Sequence, residues 1–255
     1  MTRTAVVTGA SRGIGKAIAE EFAQNNYNVA LLSRHYDAVE EVARELGSKH
    51  NAVLHPYKCD VSKKDDVAEA FAGINHMLGS IDVLVNNAGI NSRKSPNPRE
   101  IETWFGDFDG IYAGWIEEIS TNLTGTYICS YFAAGYMIRQ KHGSIINISS
   151  IKGKDATASP GYGASKAGII HLTKDYAKAL SSYGIRINCI VPGFIDTGLT
   201  QELPADKKNM YKAMIPQARF GTAQEIAKVA IFLASDNAGY ITGAAIDVDG
   251  GYLVH

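Results

Sequence analysis

Along the whole chain, short apolar runs rich in β-branched residues alternate with longer stretches whose apolar residues return at three- and four-residue steps. The short runs read as strands at residues 4–8, 28–32, 53–58, 83–86, 144–149, 186–191 and 245–248. The longer stretches read as amphipathic helices, clearest at 16–24, 38–46, 65–78, 164–181 and 223–234. Several strands are almost continuously apolar, as strands covered on both faces are. The alternation predicts an α/β domain over residues 1–255: a doubly wound parallel sheet of about seven strands with helices on both faces and no internal linker.

Two stretches break the rhythm. Residues 90–119 carry Ser95-Pro96-Asn97-Pro98 and then an aromatic and acidic tract through Trp104, Phe105 and Phe108, and read as a surface insertion or lid on the substrate side. Residues 192–216 run between two prolines and read as a substrate loop able to move over a ligand. An ordinary long connection is the plain alternative for both.

With 255 residues, 45% hydrophobic and 20% charged, the chain has material for one large core. A formal net charge of -1 gives no pull toward nucleic acid or an anionic membrane, so neither is an expected partner. No apolar run approaches the ~18 residues of a spanning helix. The chain enters a strand-like run at once, without the basic-then-apolar leader of a secretory signal. Cys59, Cys129 and Cys189 stand apart with no CxxC pair, so the expectation is buried thiols in a reducing compartment, hence the cytoplasm, and no metal site. Without a secretion route the sequons at Asn122 and Asn147 are chance matches.

Thr8-Gly9-Ala10-Ser11-Arg12-Gly13-Ile14-Gly15 follows the first strand and opens the first helix. Glycines there permit positive φ and close backbone approach, and a helix N-terminus attracts phosphate, so the turn suits a dinucleotide and the sheet reads as Rossmann-like. It is not a Walker loop, because Lys16 is followed by Ala17. Gly9-Ala10-Ser11-Arg12-Gly13 also matches the nucleophile elbow of serine hydrolases, but none of the seven histidines has a partner context for a triad. After the second strand stand Ser33 and Arg34, where an acidic residue would select NAD. Arg34, with Arg12 in the turn, suits a 2′-phosphate, so NADP(H) is the expected cofactor; two solvated arginines are the plain alternative.

Tyr162 and Lys166 are four residues apart at the start of a predicted helix, so phenol and ammonium share a face about one turn apart. A free tyrosine titrates near ~10 and a neighbouring cation lowers that value, which makes Tyr162 a candidate acid/base and Lys166 its tuner. A tyrosine and a lysine at this spacing also occur by chance on helix surfaces.

The ordered set of the Thr8–Gly15 turn, Asp60, Asn86-Asn87-Ala88-Gly89, Asn122, Ser149-Ser150, Tyr162 with Lys166, and Pro192-Gly193 resembles the short-chain dehydrogenases/reductases over almost the whole chain. The resemblance implies that Ser150 hydrogen-bonds the substrate oxygen, Tyr162 exchanges the proton, Lys166 also binds the nicotinamide ribose, and Asn122 holds a water in the proton relay. It further implies cofactor contacts from Gly9, Ser11, Arg12, Gly13, Ile14, Gly15, Ser33 and Arg34. Others would come from Asp60, Val61, Asn87, Ala88, Gly89, Pro192, Gly193, Ile195 and Thr197. A homotetramer is implied as well, with helices around 114–141 and 162–182 forming a shared bundle.

Within the family the segments Pro192–Thr197 and Phe232–Gly243 are most similar to 3-oxoacyl-(acyl carrier protein) reductases, which implies a carbonyl or alcohol substrate that carrier protein could deliver. Two departures stand out: the longer stretch between Gly89 and Asn122, and Lys141 with Tyr183 where such reductases carry two basic docking residues. A sugar, polyol or small-ketone dehydrogenase is the alternative, with Trp104, Phe105 and Phe108 closing over the substrate. A non-catalytic NADP-sensing protein is a remoter one.

Overall fold

The computed structural model describes residues 2–92, 102–156, 159–201 and 203–254. Seven parallel strands form one sheet in the order β3-β2-β1-β4-β5-β6-β7. They are β1 Thr4–Thr8, β2 Asn28–Ser33, β3 Leu54–Lys58, β4 Val83–Asn86, β5 Gly143–Ile148, β6 Ile185–Pro192 and β7 Ala245–Val248. Alternate side chains of each strand enter opposite cores. Val7, Leu31, Val85, Ile146 and Ile190 join one apolar cluster, while Val6, Leu32, Leu84, Ile145 and Ile187 join the other. This two-sided burial explains why the strands read as continuous apolar runs.

Helices α1 (Gly13–Gln24), α2 (Tyr36–His50) and α10 (Ala223–Ala234) pack with the first cluster. Helices α3 (Lys64–Leu78), α6 (Gly125–Gln140) and α7 (Pro160–Leu180) cover the second. Fully buried Phe22 and Phe71 anchor the two sides, each contributing about 1.5–3 kcal/mol through its burial. Local signals fix the ends: Pro160 starts α7, and Thr222 with Glu225 forms a capping box on α10.

From residue 102 onward, the stretch expected to be a surface insertion or lid is helical. After a short α4 (Glu102–Phe105), helix α5 (Phe108–Glu118) runs through a π-helical segment, Ile119–Thr124, directly into α6. Helix α5 packs on α7, and its Gly114 and Glu118 are buried. Residues 93–101, with Ser95-Pro96-Asn97-Pro98, lie outside the described residues. The stretch 192–216 contains α8 (Gly198–Gln201) and α9 (Ala205–Ala213), and Phe194 stacks on Tyr211 of α9 with ring centres 4.7 Å apart.

Candidate active site

The sheet reverses its winding between β1 and β4, both bonded side by side at its centre, and the crevice beyond their carboxyl ends is the expected ligand position of such a sheet. The chain builds this crevice from Thr8 and Asn87. The Thr8 hydroxyl donates to the Val85 carbonyl at 3.3 Å and accepts the N–H groups of Asn87 and Ala88, each at 3.0 Å. Asn87 Nδ2 donates to the carbonyls of Thr8 and Gly9 at 3.0 and 3.1 Å. Gly9 has φ +64°, and a Cβ there would stand 2.8 Å from the Ala88 Cα. A Cβ on Gly15 would strike the Gly9 carbonyl oxygen. The turn is therefore closed by backbone contacts that only glycines allow.

Helix α1 then starts at Gly13 with no side-chain cap and no acidic residue in its first turn. Its leading N–H groups are left for an anion, which fits a bound pyrophosphate. Across from them, the Thr197 methyl would lie 3.6 Å from a Cβ on Gly13. Thr197 is held by its own N–H to the Thr200 hydroxyl at 2.9 Å, and Gly193 by its N–H to the Val248 carbonyl at 3.0 Å. Pro192 and Ile195 are buried, and the Ile195 side chain is turned toward Gly221. Ile14 packs on the core, Ser11 is half-buried, and Arg12 and Arg34 are exposed, with no ion pair to any described residue. Buried Ser33 accepts the His35 N–H at 3.2 Å. Asp60 holds Ser62 through its Oδ1, and Val61 packs its side chain over Gly125.

Beyond β5 the two neighbouring serines separate. Ser149 is buried and donates to the Lys166 carbonyl at 2.8 Å, whereas the Ser150 side chain faces the Tyr162 phenol. Lys166 is buried, its Nζ donates to the Ile148 carbonyl at 2.9 Å, and it lies 5.6 Å from the centre of the Tyr162 ring. A Cβ on Gly89 would meet this Nζ at 3.4 Å and Asn122 Oδ1 at 3.3 Å, so Gly89, Asn122 and Lys166 converge. Burial pushes the Lys166 ammonium down to about 8. It also raises the Tyr162 phenol; the facing Ser150 side chain opposes this and the Glu118 carboxylate adds to it. The Lys166 ammonium meets the Ile148 carbonyl and the face of the Tyr162 ring, and burial is the leading influence on the phenol.

Asn122 sits in the π segment, where irregular helix often serves a site. Its Oδ1 accepts the Ile90 N–H at 2.8 Å, and its Nδ2 donates to the Ile90 carbonyl at 2.9 Å and to the Ser165 hydroxyl at 3.1 Å. Its own carbonyl accepts the Thr126 hydroxyl at 2.7 Å. The side chain thus ties the chain after β4 to α7. Ser165 completes the tie by donating to the Tyr162 carbonyl at 2.7 Å.

Sequence reading passed over two charged neighbours. Glu118 is 1% exposed, accepts the Ser92 N–H at 2.8 Å through Oε1, and lies so close to Gly161 that a side chain there would strike its Oε2. Lys152, half-buried, brings its Nζ to 5.8 Å from the Tyr162 ring. Burial pushes its pKa down, and Glu118 opposes the shift.

A family model described as Enoyl-(Acyl carrier protein) reductase matches residues 9–253. The 3-oxoacyl-(acyl-carrier-protein) reductase of Staphylococcus epidermidis is 41% identical over 255 residues, covering 98% of this chain and 99% of that one. The chain belongs to the short-chain dehydrogenase/reductase family. It is an oxidoreductase, and its sheet is the family's. A short-chain type dehydrogenase/reductase from Mycobacterium marinum superposes with a TM-score of 0.90 at 33% identity, covering 99% of this chain and 96% of that one. A candidate gluconate dehydrogenase from Agrobacterium tumefaciens gives the same score, identity and coverage. No helix among the described residues is long and apolar enough to cross a membrane.

Proposed function

We propose that the chain is an NADPH-dependent 3-oxoacyl reductase acting on thioesters that a carrier protein can present, with Ser150, Tyr162 and Lys166 at its reacting centre. The convergence of the Ser150 side chain on the Tyr162 phenol, beside buried Lys166 and one crevice away from the glycine turn, carries this reading. When bound, the nicotinamide supplies the hydride. Ser150 holds the substrate carbonyl oxygen against Tyr162, and Tyr162, kept protonated by burial, gives that oxygen its proton. Lys166 projects from α7 toward Gly89 and the ribose position, while Asn122 fixes the loop on which Gly89 lies. In this reading the relay water meets the backbone of the π segment, because the Asn122 side chain is already bonded to Ile90 and Ser165.

The glycine cradle, the uncapped start of α1 and the carbonyl-locked Asn87 fit a dinucleotide, and exposed Arg12 and Arg34 favour a 2′-phosphate. Exposed Tyr112, Trp115, Ile116, Tyr127 and Tyr131 form an apolar stripe on α5 and α6 that suits helix pairing in a homotetramer. The buried thiols of Cys59, Cys129 and Cys189 suit the cytoplasm. Lys141 and Tyr183 lie next to the amino ends of β5 and β6, across the sheet from Ser150, so a docked carrier would serve the site of another copy.

The likeness to the candidate gluconate dehydrogenase supports one second reading, a polyol dehydrogenase. Following NADPH oxidation with acetoacetyl thioesters, sugar ketones and simple ketones separates the two. Preference for the thioester is expected; preference for the sugars would reverse the assignment.

A further inference from the structure

Lys152 has no task in the proton transfer. It stands two positions beyond Ser150 in the turn Ile151–Gly153, and its N–H donates to Ser150 Oγ at 3.2 Å, so both residues belong to one rigid unit. Two ammonium groups reach the same tyrosine: Lys166 Nζ at 5.6 Å and Lys152 Nζ at 5.8 Å from the ring centre. Lys166 is committed to the Ile148 carbonyl. Its counterpart makes no hydrogen bond or ion pair with any described residue.

The neighbouring charges of this turn are engaged. Lys154 pairs with Asp247 at 2.6 Å, and Asp155 accepts the Tyr252 hydroxyl at 3.1 Å. The Glu118 carboxylate favours the charged form of Lys152 against the burial that opposes it. A cavity of about 310 Å³ runs along the turn past Lys152, Asp155, Ser159 and Gly163, so the lysine borders open space. An ammonium that borders open space beside the reacting tyrosine is placed to donate to an oxygen of a bound ligand.

We infer that Lys152 determines specificity by binding a second oxygen of the substrate, next along the chain from the carbonyl held by Ser150 and Tyr162. The site thereby selects 1,3-dicarbonyl compounds, either 3-oxoacyl thioesters or 3-oxo acids, over simple ketones. This rests on the proposed 3-oxo substrate class and assigns its recognition to one residue. The shared chemistry is an acceptor oxygen two carbons from the reacting carbon, neutral in a thioester and anionic in an acid.

The test compares wild type, Lys152→Met and Lys152→Arg with NADPH and three substrates: the acetoacetyl thioester of N-acetylcysteamine, acetoacetate, and pentan-2-one. Lys152→Met is expected to lower the ratio of kcat/KM for a 3-oxo substrate over that for pentan-2-one by about ten- to a hundred-fold, mainly through KM, as loss of a charge-assisted hydrogen bond does. Lys152→Arg is expected to recover most of the ratio. A larger loss with acetoacetate assigns the contact to a carboxylate, and a larger loss with the thioester assigns it to a neutral carbonyl. An unchanged ratio, whether activity falls equally on all three substrates or not at all, overturns the inference and leaves the substrate class standing. Wild type that reduces pentan-2-one but neither 3-oxo substrate overturns the substrate class itself.

Discussion

Ser149 donates its hydroxyl to the carbonyl of Lys166 at 2.8 Å, while the hydroxyl of the next residue, Ser150, reaches the phenol of Tyr162. Adjacent serines therefore divide structure from chemistry. Ser149→Ala should cost stability, about 0.5–1.5 kcal/mol for the loss of one buried hydrogen bond to the α7 backbone. Ser150→Ala should instead lower kcat by about a hundred-fold with little change in melting temperature. Thermal melts and steady-state rates on both variants check this, and a swap of the two phenotypes would contradict the assignment.

Lys166 makes stability depend on pH. Its folded value, about 8, lies below the ordinary value of 10.5, so the unfolded chain binds more protons between the two. Stability contributed through this group therefore rises as pH rises from about 8 toward the unfolded value. Urea unfolding at several pH values should show wild type gaining on Lys166→Met across that window. Parallel curves would rule the buried ammonium out as the cause.

Arg34 and Arg12 carry the cofactor preference. Arg34→Ala should raise KM for NADPH by about ten- to a hundred-fold, the loss of a charge-assisted phosphate contact, and leave KM for NADH within about two-fold. Arg12→Ala should act in the same direction. An equal effect on both cofactors would mean that neither arginine meets the 2′-phosphate.

Glu118 raises the phenol of Tyr162, and Gln in its place keeps an acceptor for the Ser92 N–H while removing the charge. Reduction needs the protonated phenol, so the alkaline fall of kcat/KM should move to lower pH in Glu118→Gln. The facing groups that remain are Lys152, Lys166 and Ser150, none altered by the change. A profile superimposable on wild type would remove Glu118 from the account.

How far the sequence revealed the protein differs from element to element. Strands such as β1 and β4 were legible to the residue because both faces are buried and nothing polar interrupts them. Strand β5 begins and ends one residue earlier than its apolar pattern suggests, which frees Ser149 to bond α7. Helix α5 was not legible as an amphipathic helix because large apolar residues face outward: Tyr112 is 52% and Ile116 43% exposed. The π segment then shifts the period just before α6. The glycine turn, Tyr162 and Lys166 could be found from spacing. Glu118 and Lys152 could not, since charged residues are exposed by default and only tertiary packing sets them beside Tyr162.

The central claim is that Tyr162 delivers the proton in a cofactor-dependent carbonyl reduction. Its most direct test is the turnover of Tyr162→Phe with saturating NADPH and an acetoacetyl thioester, together with NADPH binding followed by fluorescence. The account predicts that kcat falls by about a hundred- to ten-thousand-fold while the NADPH Kd stays within about three-fold of wild type. A kcat within a few-fold of wild type would contradict it.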